Sequence, residues 1–154
     1  MSLQVGDQAP DFTCKTDGDG ELSLQSLRGK KVVLYFYPKD MTPGCTKESE
    51  AFRDLLVEFE AANTVIIGAS KDNVARHDKF KTKSQLPFTL ISDEDGVLCE
   101  VYGVWRMKKL YGKEYMGIVR STFLIDEKGF VQAVWDKVRV KGHVDVVLDA
   151  AKAS

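Results

Sequence analysis

Apolar residues in this chain follow two different periods, which predict different elements. Continuous apolar runs rich in β-branched and aromatic residues predict strands buried on both faces, at 30–38, 64–70 and 87–93. Apolar residues three and four positions apart predict helices at 42–62, 95–104 and 142–153. A polar stretch between two of the strands, 73–85, is also predicted to be a helix. Strand and helix therefore alternate along most of the chain.

The two ends of the chain complete this pattern. Residues 18–24 predict a turn that leads into a short strand, and 121–136 predict a hairpin around Glu127-Lys128-Gly129. The segment 104–117 is predicted to be a loop folded over the protein's own core, although its apolar side chains also suit a wall of a site or a subunit contact. We predict an α/β fold with a central mixed β-sheet flanked by helices. The element order fits a thioredoxin-like fold with an N-terminal extension.

Composition narrows the class of protein. A length of 154 residues suits one compact domain spanning 1–154. Lys and Arg total 22 against 23 Asp and Glu, so neither nucleic acid nor an anionic membrane is expected as a partner. The sequence contains no apolar segment of the roughly 20 residues that span a bilayer, and its first residues have no signal-peptide pattern. We therefore expect a cytoplasmic protein.

Cysteines and histidines are few and scattered. The three cysteines are Cys14, Cys45 and Cys99, an odd and widely spaced set that fits neither a disulfide framework nor a zinc motif. His77 and His143 are far apart and have no ligand-like neighbours in sequence. We predict that both histidines lie at the surface and take no part in catalysis.

One cysteine stands where a helix is predicted to begin. Thr42 suits the N-cap and Pro43 the first helical position, so Gly44 and Cys45 become the second and third helical residues. The sulfur would then lie near unpaired backbone N–H groups and the positive end of the helix dipole, which favour the thiolate. A small, inert, buried cysteine fits the same position equally well.

The same four residues also argue against dithiol chemistry. Thr42-Pro43-Gly44-Cys45 has the strand–turn–helix setting of a CxxC motif, but its first position is threonine. Exchange between a dithiol and a disulfide needs two sulfurs there. A general thiol–disulfide oxidoreductase is therefore the weaker hypothesis.

Four motifs in this sequence resemble one known family. "FYPKDMTPGCTKE" (36–48) is similar to the active-site signature of the peroxiredoxins, specifically the bacterioferritin comigratory protein (PrxQ) branch. The motifs "GDQAPDF" (6–12), "PFTLISD" (87–93) and "RSTFLID" (120–126) match the same branch in order and spacing. The resemblance covers nearly the whole chain. It implies a thiol peroxidase that reduces hydrogen peroxide and organic hydroperoxides without a metal or an organic cofactor.

The resemblance also implies roles for five residues. Cys45 corresponds to the peroxidatic cysteine, and Thr42 to the threonine whose hydroxyl contacts the peroxide. Pro43 corresponds to the proline that shields the sulfur. Arg120 matches the arginine that contacts thiolate and peroxide, and Glu48 the acidic residue that orients this arginine.

The chain departs from the common pattern at the second sulfur. Many members of the branch carry a resolving cysteine five residues after the first, where this chain has Glu50, and others carry it in the next helix, near 79–85, which contains no cysteine here. We therefore expect a one-cysteine cycle, in which an external thiol reduces the sulfenic acid of Cys45. Glutathione with glutaredoxin, or thioredoxin acting directly, would supply that thiol.

Other cycles and assembly states stay open. Cys99 is a candidate resolver in a two-cysteine cycle because a long loop follows it, whereas Cys14 is predicted to share the buried face of Phe12. A third hypothesis is a peroxide sensor that relays oxidation of Cys45 to a partner protein. We expect a monomer or a weak homodimer.

Overall fold

The computed structural model describes residues 3–153. Its α-helices are α1 (Pro43–Asp54), α2 (Leu56–Ala61), α3 (Val74–Ser84), α4 (Val97–Val101) and α5 (His143–Lys152). Its strands are β1 (Thr13–Thr16), β2 (Glu21–Ser23), β3 (Lys31–Phe36), β4 (Thr64–Ser70), β5 (Thr89–Ser92), β6 (Trp105–Leu110), β7 (Lys113–Ile118), β8 (Ser121–Ile125) and β9 (Val131–Trp135). None of the helices within residues 3–153 has both the length and the apolar character required to span a bilayer.

Seven of the strands form one mixed sheet, as predicted. Their order is β2-β1-β5-β4-β3-β8-β9. The three central strands β3, β4 and β5 run parallel, and β8 pairs antiparallel with β3. Both the carboxyl end of β3 and the amino end of β8 therefore lie at the same edge of the sheet, which brings the segments after Phe36 and before Ser121 together.

Side chains of β3 alternate between two apolar layers, because successive residues of a strand point to opposite faces. We call the first the Cys45 layer; it includes Val33, Tyr35, Tyr37, Cys45, Phe52, Phe59, Phe80, Leu124 and Val147. We call the second the Cys99 layer; it includes Val32, Leu34, Phe36, Ile91, Leu98, Cys99, Tyr102, Phe123 and Ile125, with Phe12 and Cys14 packed against it. The sheet thus lies between Cys45 and the other two cysteines.

The predicted helix 42–62 is two helices rather than one. The Leu55 N–H bonds the Phe52 carbonyl, three residues back, at 3.3 Å, which tightens the backbone between α1 and α2. Buried Phe52 and Phe59 lie on either side of this break, in the same apolar layer. The predicted hydrophobic stripe therefore continues from α1 into α2. The apolar spacing gave no sign of the break between the two helices.

The prediction of a loop over 104–117 was wrong, since most of this segment forms a separate two-stranded sheet. Strands β6 and β7 pair antiparallel, with Met107 opposite Met116 and Lys108 opposite Tyr115. Tyr111 and Gly112 have positive φ, 52° and 76°, as a tight hairpin turn requires. Trp105 and Ile118, at the base of the hairpin, pack against the Cys99 layer. The apolar side chains farther out are exposed rather than folded over the core: Met107, Leu110, Tyr111, Tyr115 and Met116.

The packing of β3 predicts a large effect of truncation. Leu34 is 0% exposed, so Leu34→Ala removes buried methyl groups and leaves a cavity. We expect the free energy of unfolding to fall by about 3 kcal/mol, measured by urea denaturation. Val57→Ala, in α2 at 77% exposure, serves as the control and should change stability by less than about 0.5 kcal/mol. Equal effects of the two changes would contradict the layered core.

Candidate active site

Cys45 occupies the predicted position, the third residue of α1. The first backbone bond of the helix runs from the Thr46 N–H to the Thr42 carbonyl at 2.9 Å, so the N–H groups of Gly44 and Cys45 precede the helical ladder. Cys45 is only 1% exposed. Its sulfur is therefore held in a nearly dry environment at the positive end of a helix, where nearby donors act strongly on a negative charge.

Thr42 and Pro43 take their predicted places, but the Thr42 hydroxyl does not cap the helix. It donates instead to the Lys39 carbonyl at 2.8 Å. Since this bond uses the hydroxyl proton, the oxygen keeps its lone pairs for a donor arriving from outside. Pro43 is exposed at the first helical position, and the shielding role implied for it stays a prediction.

Arg120 joins Cys45 to Glu48. Its Nη1 donates to Glu48 Oε1 at 2.6 Å, and its Nη2 donates to Cys45 Sγ at 3.4 Å. Gly44 permits this approach, because a Cβ at that position would lie 3.3 Å from the Arg120 Nη2. One planar guanidinium therefore holds both a carboxylate and the sulfur.

Glu48 is the unusual acid of this group. It lies on the buried face of α1, one turn after Cys45, and is 0% exposed. Its Oε2 accepts no hydrogen bond from any residue in the described part of the chain. Burial raises the pKa of Glu48 to about 7, against the opposing charge and hydrogen bond of Arg120.

One further residue near the site, Lys108, was not found by sequence reasoning. Lys108 Nζ donates to the Ile118 carbonyl at 2.9 Å, two residues before Arg120. Burial, and then the charge of Arg120, lower the pKa of Lys108, whereas Cys45 acts in the opposite direction. Lys108 thus brings the exposed hairpin within electrostatic range of the sulfur; its place on a segment predicted to be a loop gave no sign of this.

The prediction that both histidines lie at the surface was wrong. His77 is 0% exposed and His143 is 7% exposed. His143 Nε2 lies 2.8 Å from the Thr122 hydroxyl. Burial, and then the charge of Arg120, lower its pKa to about 4, so this imidazole is neutral at ordinary pH. His77 lies in a mostly polar helix, which gave no sign of burial. His143 lies four residues before buried Val147 in α5, so helical spacing could have indicated its burial.

The other two cysteines lie in a different environment. Cys99 is 0% exposed, and burial, with Asp93 nearby, raises its pKa well above the usual range. Burial, Asp93 and Asp95 raise the pKa of Cys14 to about 11. Cys14 and Leu98 line a cavity of about 700 Å³ on this side of the sheet. Both thiols there are held in the protonated form, which is a poor nucleophile.

Comparison with known proteins agrees with this geometry. Residues 5–134 match the AhpC/TSA family. Peroxiredoxin Bcp of Bacillus subtilis is 49% identical over 152 residues, covering 99% of this chain and 97% of the relative.

Solved structures also show the same fold. A cysteine-to-serine mutant of Xylella fastidiosa PrxQ superposes with a TM-score of 0.94 at 36% identity, covering 99% of this chain and 98% of that one. The Xanthomonas campestris bacterioferritin comigratory protein gives a TM-score of 0.90 at 43% identity, covering 98% and 96%. The predicted thioredoxin-like fold is thereby confirmed. The chain belongs to the AhpC/TSA family and is a thiol peroxidase of the bacterioferritin comigratory protein (PrxQ) branch of the peroxiredoxins.

Proposed function

We propose that this chain reduces hydrogen peroxide and organic hydroperoxides at Cys45 and that an external thiol completes the cycle. The contact that carries the first half of this proposal is the 3.4 Å hydrogen bond from Arg120 Nη2 to Cys45 Sγ. Organic hydroperoxides are included because the Xanthomonas campestris relative is described by its alkyl peroxide reduction activity.

In the first step the Cys45 thiolate attacks one oxygen of the peroxide. A sulfur–oxygen bond forms and the oxygen–oxygen bond breaks, which leaves a sulfenic acid on Cys45 and releases water or an alcohol once the leaving oxygen takes up a proton. Negative charge moves from sulfur to that oxygen. Arg120 and the N–H groups of Gly44 and Cys45 supply donors along this path, which is where electrostatic stabilisation lowers the barrier.

Thr42 supplies the complementary acceptor. Its hydroxyl proton is held by the Lys39 carbonyl, so its oxygen is available to accept the hydrogen of the peroxide O–H. Peroxide bound between this acceptor and the Arg120 donors is oriented for in-line attack. Orientation of this kind lowers the entropic barrier of a reaction between two molecules.

The position of the central sheet favours a cycle that uses an external reductant. Cys45 belongs to one apolar layer, whereas Cys99 and Cys14 belong to the other, with the sheet between them. An internal disulfide would require one of these sulfurs to cross or unfold that sheet, since the two Cα atoms of a disulfide lie within about 7 Å of each other.

Two external thiols are therefore used in each turnover. The first attacks the sulfenic acid, which releases water and leaves a mixed disulfide; the second displaces Cys45 as a thiol and leaves with the first as a disulfide. Glutathione with glutaredoxin, or thioredoxin, is the reductant class that we propose.

Replacement of Arg120 tests its shared role. In Arg120→Lys a single ammonium cannot donate to Glu48 and Cys45 through a planar fork. We expect the second-order rate of Cys45 oxidation by hydrogen peroxide to fall about 100-fold, measured by stopped-flow fluorescence. Arg106→Lys is the matched control, since Arg106 pairs with Asp136 at the base of the hairpin; its rate should stay close to wild type. A rate in Arg120→Lys equal to that of the control would refute the role.

Replacement of the two remote cysteines tests the cycle. The double variant Cys14→Ser/Cys99→Ser should keep its peroxidase turnover within about twofold when an external thiol is supplied, because both side chains lie across the sheet from Cys45. Intact mass after one equivalent of peroxide should show a sulfenic-acid adduct on Cys45 when a trapping reagent is present. Loss of two hydrogens in the wild type, mapped to a disulfide with Cys99, would instead establish the two-cysteine cycle.

Replacement of Glu48 tests the effect of its ionisation. Protonation of Glu48 as the pH falls through about 7 weakens its hold on Arg120. We expect the ratio of the peroxide oxidation rate to the iodoacetamide alkylation rate to fall as the pH falls, since alkylation reports only the thiolate. Glu48→Gln should remove this inflection, whereas Glu50→Gln, which changes a half-buried carboxylate paired with Arg53 on α1, should retain it. The same inflection in all three proteins would count against Glu48.

A further inference from the structure

A fully buried histidine and aspartate lie next to the turn that carries the active site. His77, in α3, is 0% exposed, and Asp40, between β3 and α1, is 1% exposed. His77 Nδ1 lies 2.6 Å from Asp40 Oδ2. None of the catalytic steps above uses this pair, although Asp40 precedes Cys45 by only five residues.

Hydrogen-bond partners fix how many protons the pair holds. His77 Nε2 lies 2.8 Å from the Ile91 carbonyl, which can only accept, so Nε2 must carry a hydrogen. Nδ1 faces the Asp40 carboxylate, and that short contact needs a second proton. Tyr37 donates its hydroxyl to Asp40 Oδ1 at 2.6 Å, so that oxygen acts as an acceptor. The arrangement is therefore an imidazolium paired with a carboxylate.

Asp40 is also held through its backbone. Its N–H donates to Asp72 Oδ2 at 2.8 Å, and its carbonyl accepts from Arg76 Nη2 at 3.1 Å. Asp72 in turn accepts from the Ser70 hydroxyl at 2.6 Å and from Arg76 Nε at 3.0 Å. The segment after β4 and the first turns of α3 thus converge on one residue of the active-site turn.

The side chains of Asp40, Asp72 and His77 do not form a metal site. Ligand atoms of Asp40, Asp72 and His77 lie within 4.8 Å of one another. However, both carboxylates already accept hydrogens from Tyr37, Ser70 and Arg76, and the Arg76 guanidinium supplies the positive charge. Hydrogen bonds and the positive charge of Arg76 therefore take the place that a metal ion would fill between these side chains.

The turn that follows Asp40 depends on this anchoring. Met41 has a φ of +63°, a conformation that costs energy for a residue with a side chain. Thr42 then bonds back to the Lys39 carbonyl and begins α1. We propose that His77 is a positioning residue: paired with Asp40, it holds the Lys39–Thr42 turn so that Thr42 and Cys45 meet the peroxide in the correct geometry. This inference rests on the role of Cys45 proposed above.

The pH dependence of the pair has a definite sign. Burial alone would lower the pKa of His77, but the hydrogen bond and charge of Asp40, with the Ile91 carbonyl and Asp72, raise it above its usual value. The charged groups facing the imidazole are Asp40 and Asp72, and Tyr37 and Arg76 bind those carboxylates. Because the pKa is raised, the pair persists below it and is lost as the pH rises through it.

Kinetics of two reactions of Cys45 separate positioning from stability. In His77→Gln one amide cannot donate both to Asp40 and to Ile91 on opposite sides. We expect oxidation by hydrogen peroxide to slow by roughly tenfold to a hundredfold, because misplacement of reacting groups is costly. Alkylation by iodoacetamide, which needs only the thiolate, should stay within about threefold of wild type. Ile125→Val, a buried truncation of β8 in the Cys99 layer, is the control; Ile125 pairs with Val32 at the far end of β3 from the turn, so it should leave the ratio of the two rates unchanged.

A second variant and an NMR measurement keep the proposal testable if His77→Gln does not fold. Tyr37→Phe removes one donor to Asp40 without a large cavity and should change the same ratio in the same direction by about threefold; it decides the question if His77→Gln does not fold. Nitrogen-15 NMR of wild-type histidines at pH 6, below the usual histidine pKa of about 6.5, should show both ring nitrogens of His77 protonated and His143 neutral.

Each outcome has a distinct meaning. An unchanged rate ratio in folded His77→Gln and in Tyr37→Phe would overturn the positioning role, and so would a neutral His77 ring in the spectrum. Failure of the wild type itself to react with peroxide would overturn the proposed function of Cys45 instead. A selective loss of peroxide rate in both variants, with a protonated His77, supports the inference.

Discussion

One guanidinium shared between two acids organises this protein. Arg120 donates to the Glu48 carboxylate and to the Cys45 sulfur at the same time, and both lie on the buried face of one helix. A cation removed from water is stable only when anions and acceptors surround it. The carboxylate keeps Arg120 in place, and Arg120 in turn donates to the sulfur. Arg120 can contact α1 because β3 and β8 pair antiparallel. The helix that follows β3 and the residue that precedes β8 therefore lie at the same edge of the sheet.

A second, separate network holds the turn that precedes Cys45. Asp40 connects the active-site turn to α3 through His77 and to the end of β4 through Asp72. Buried acids therefore flank the cysteine in sequence: Asp40 comes five residues before it and Glu48 three residues after it. Polar groups buried in this way are costly unless each finds a partner, and a satisfied network rigidifies what it contacts. Within residues 3–153, Glu48 Oε2 is one of two buried side-chain atoms without a hydrogen-bond partner, and its position next to the reacting group is where such an exception is expected.

Local signals in the sequence predicted the strands of the central sheet, the start of α1 and the place of Cys45 within it. The meeting of Glu48 with Arg120 joins residues 72 positions apart, so no local pattern could reveal it, and only the resemblance to a family indicated it. His77 was misjudged because one imidazole in a polar helix looks like a surface residue until its partners from β5 and the β3–α1 segment are known. The β6–β7 hairpin was missed because long side chains on both faces, such as Met107 and Lys108, hide the two-residue alternation of a strand.

Burial of Cys45 sets a conflict between the two halves of the catalytic cycle. Hydrogen peroxide is small enough to reach a sulfur that is only 1% exposed, but a protein thiol is not. In the one-cysteine cycle proposed above, a bulky reductant reaches the sulfenic acid only when the first turn of α1 opens, and the hydrogen bonds of Arg120 and Asp40 oppose that opening. Under that proposal the oxidised lifetime of Cys45, and hence its exposure to a second peroxide, depends on how often this helical turn unwinds.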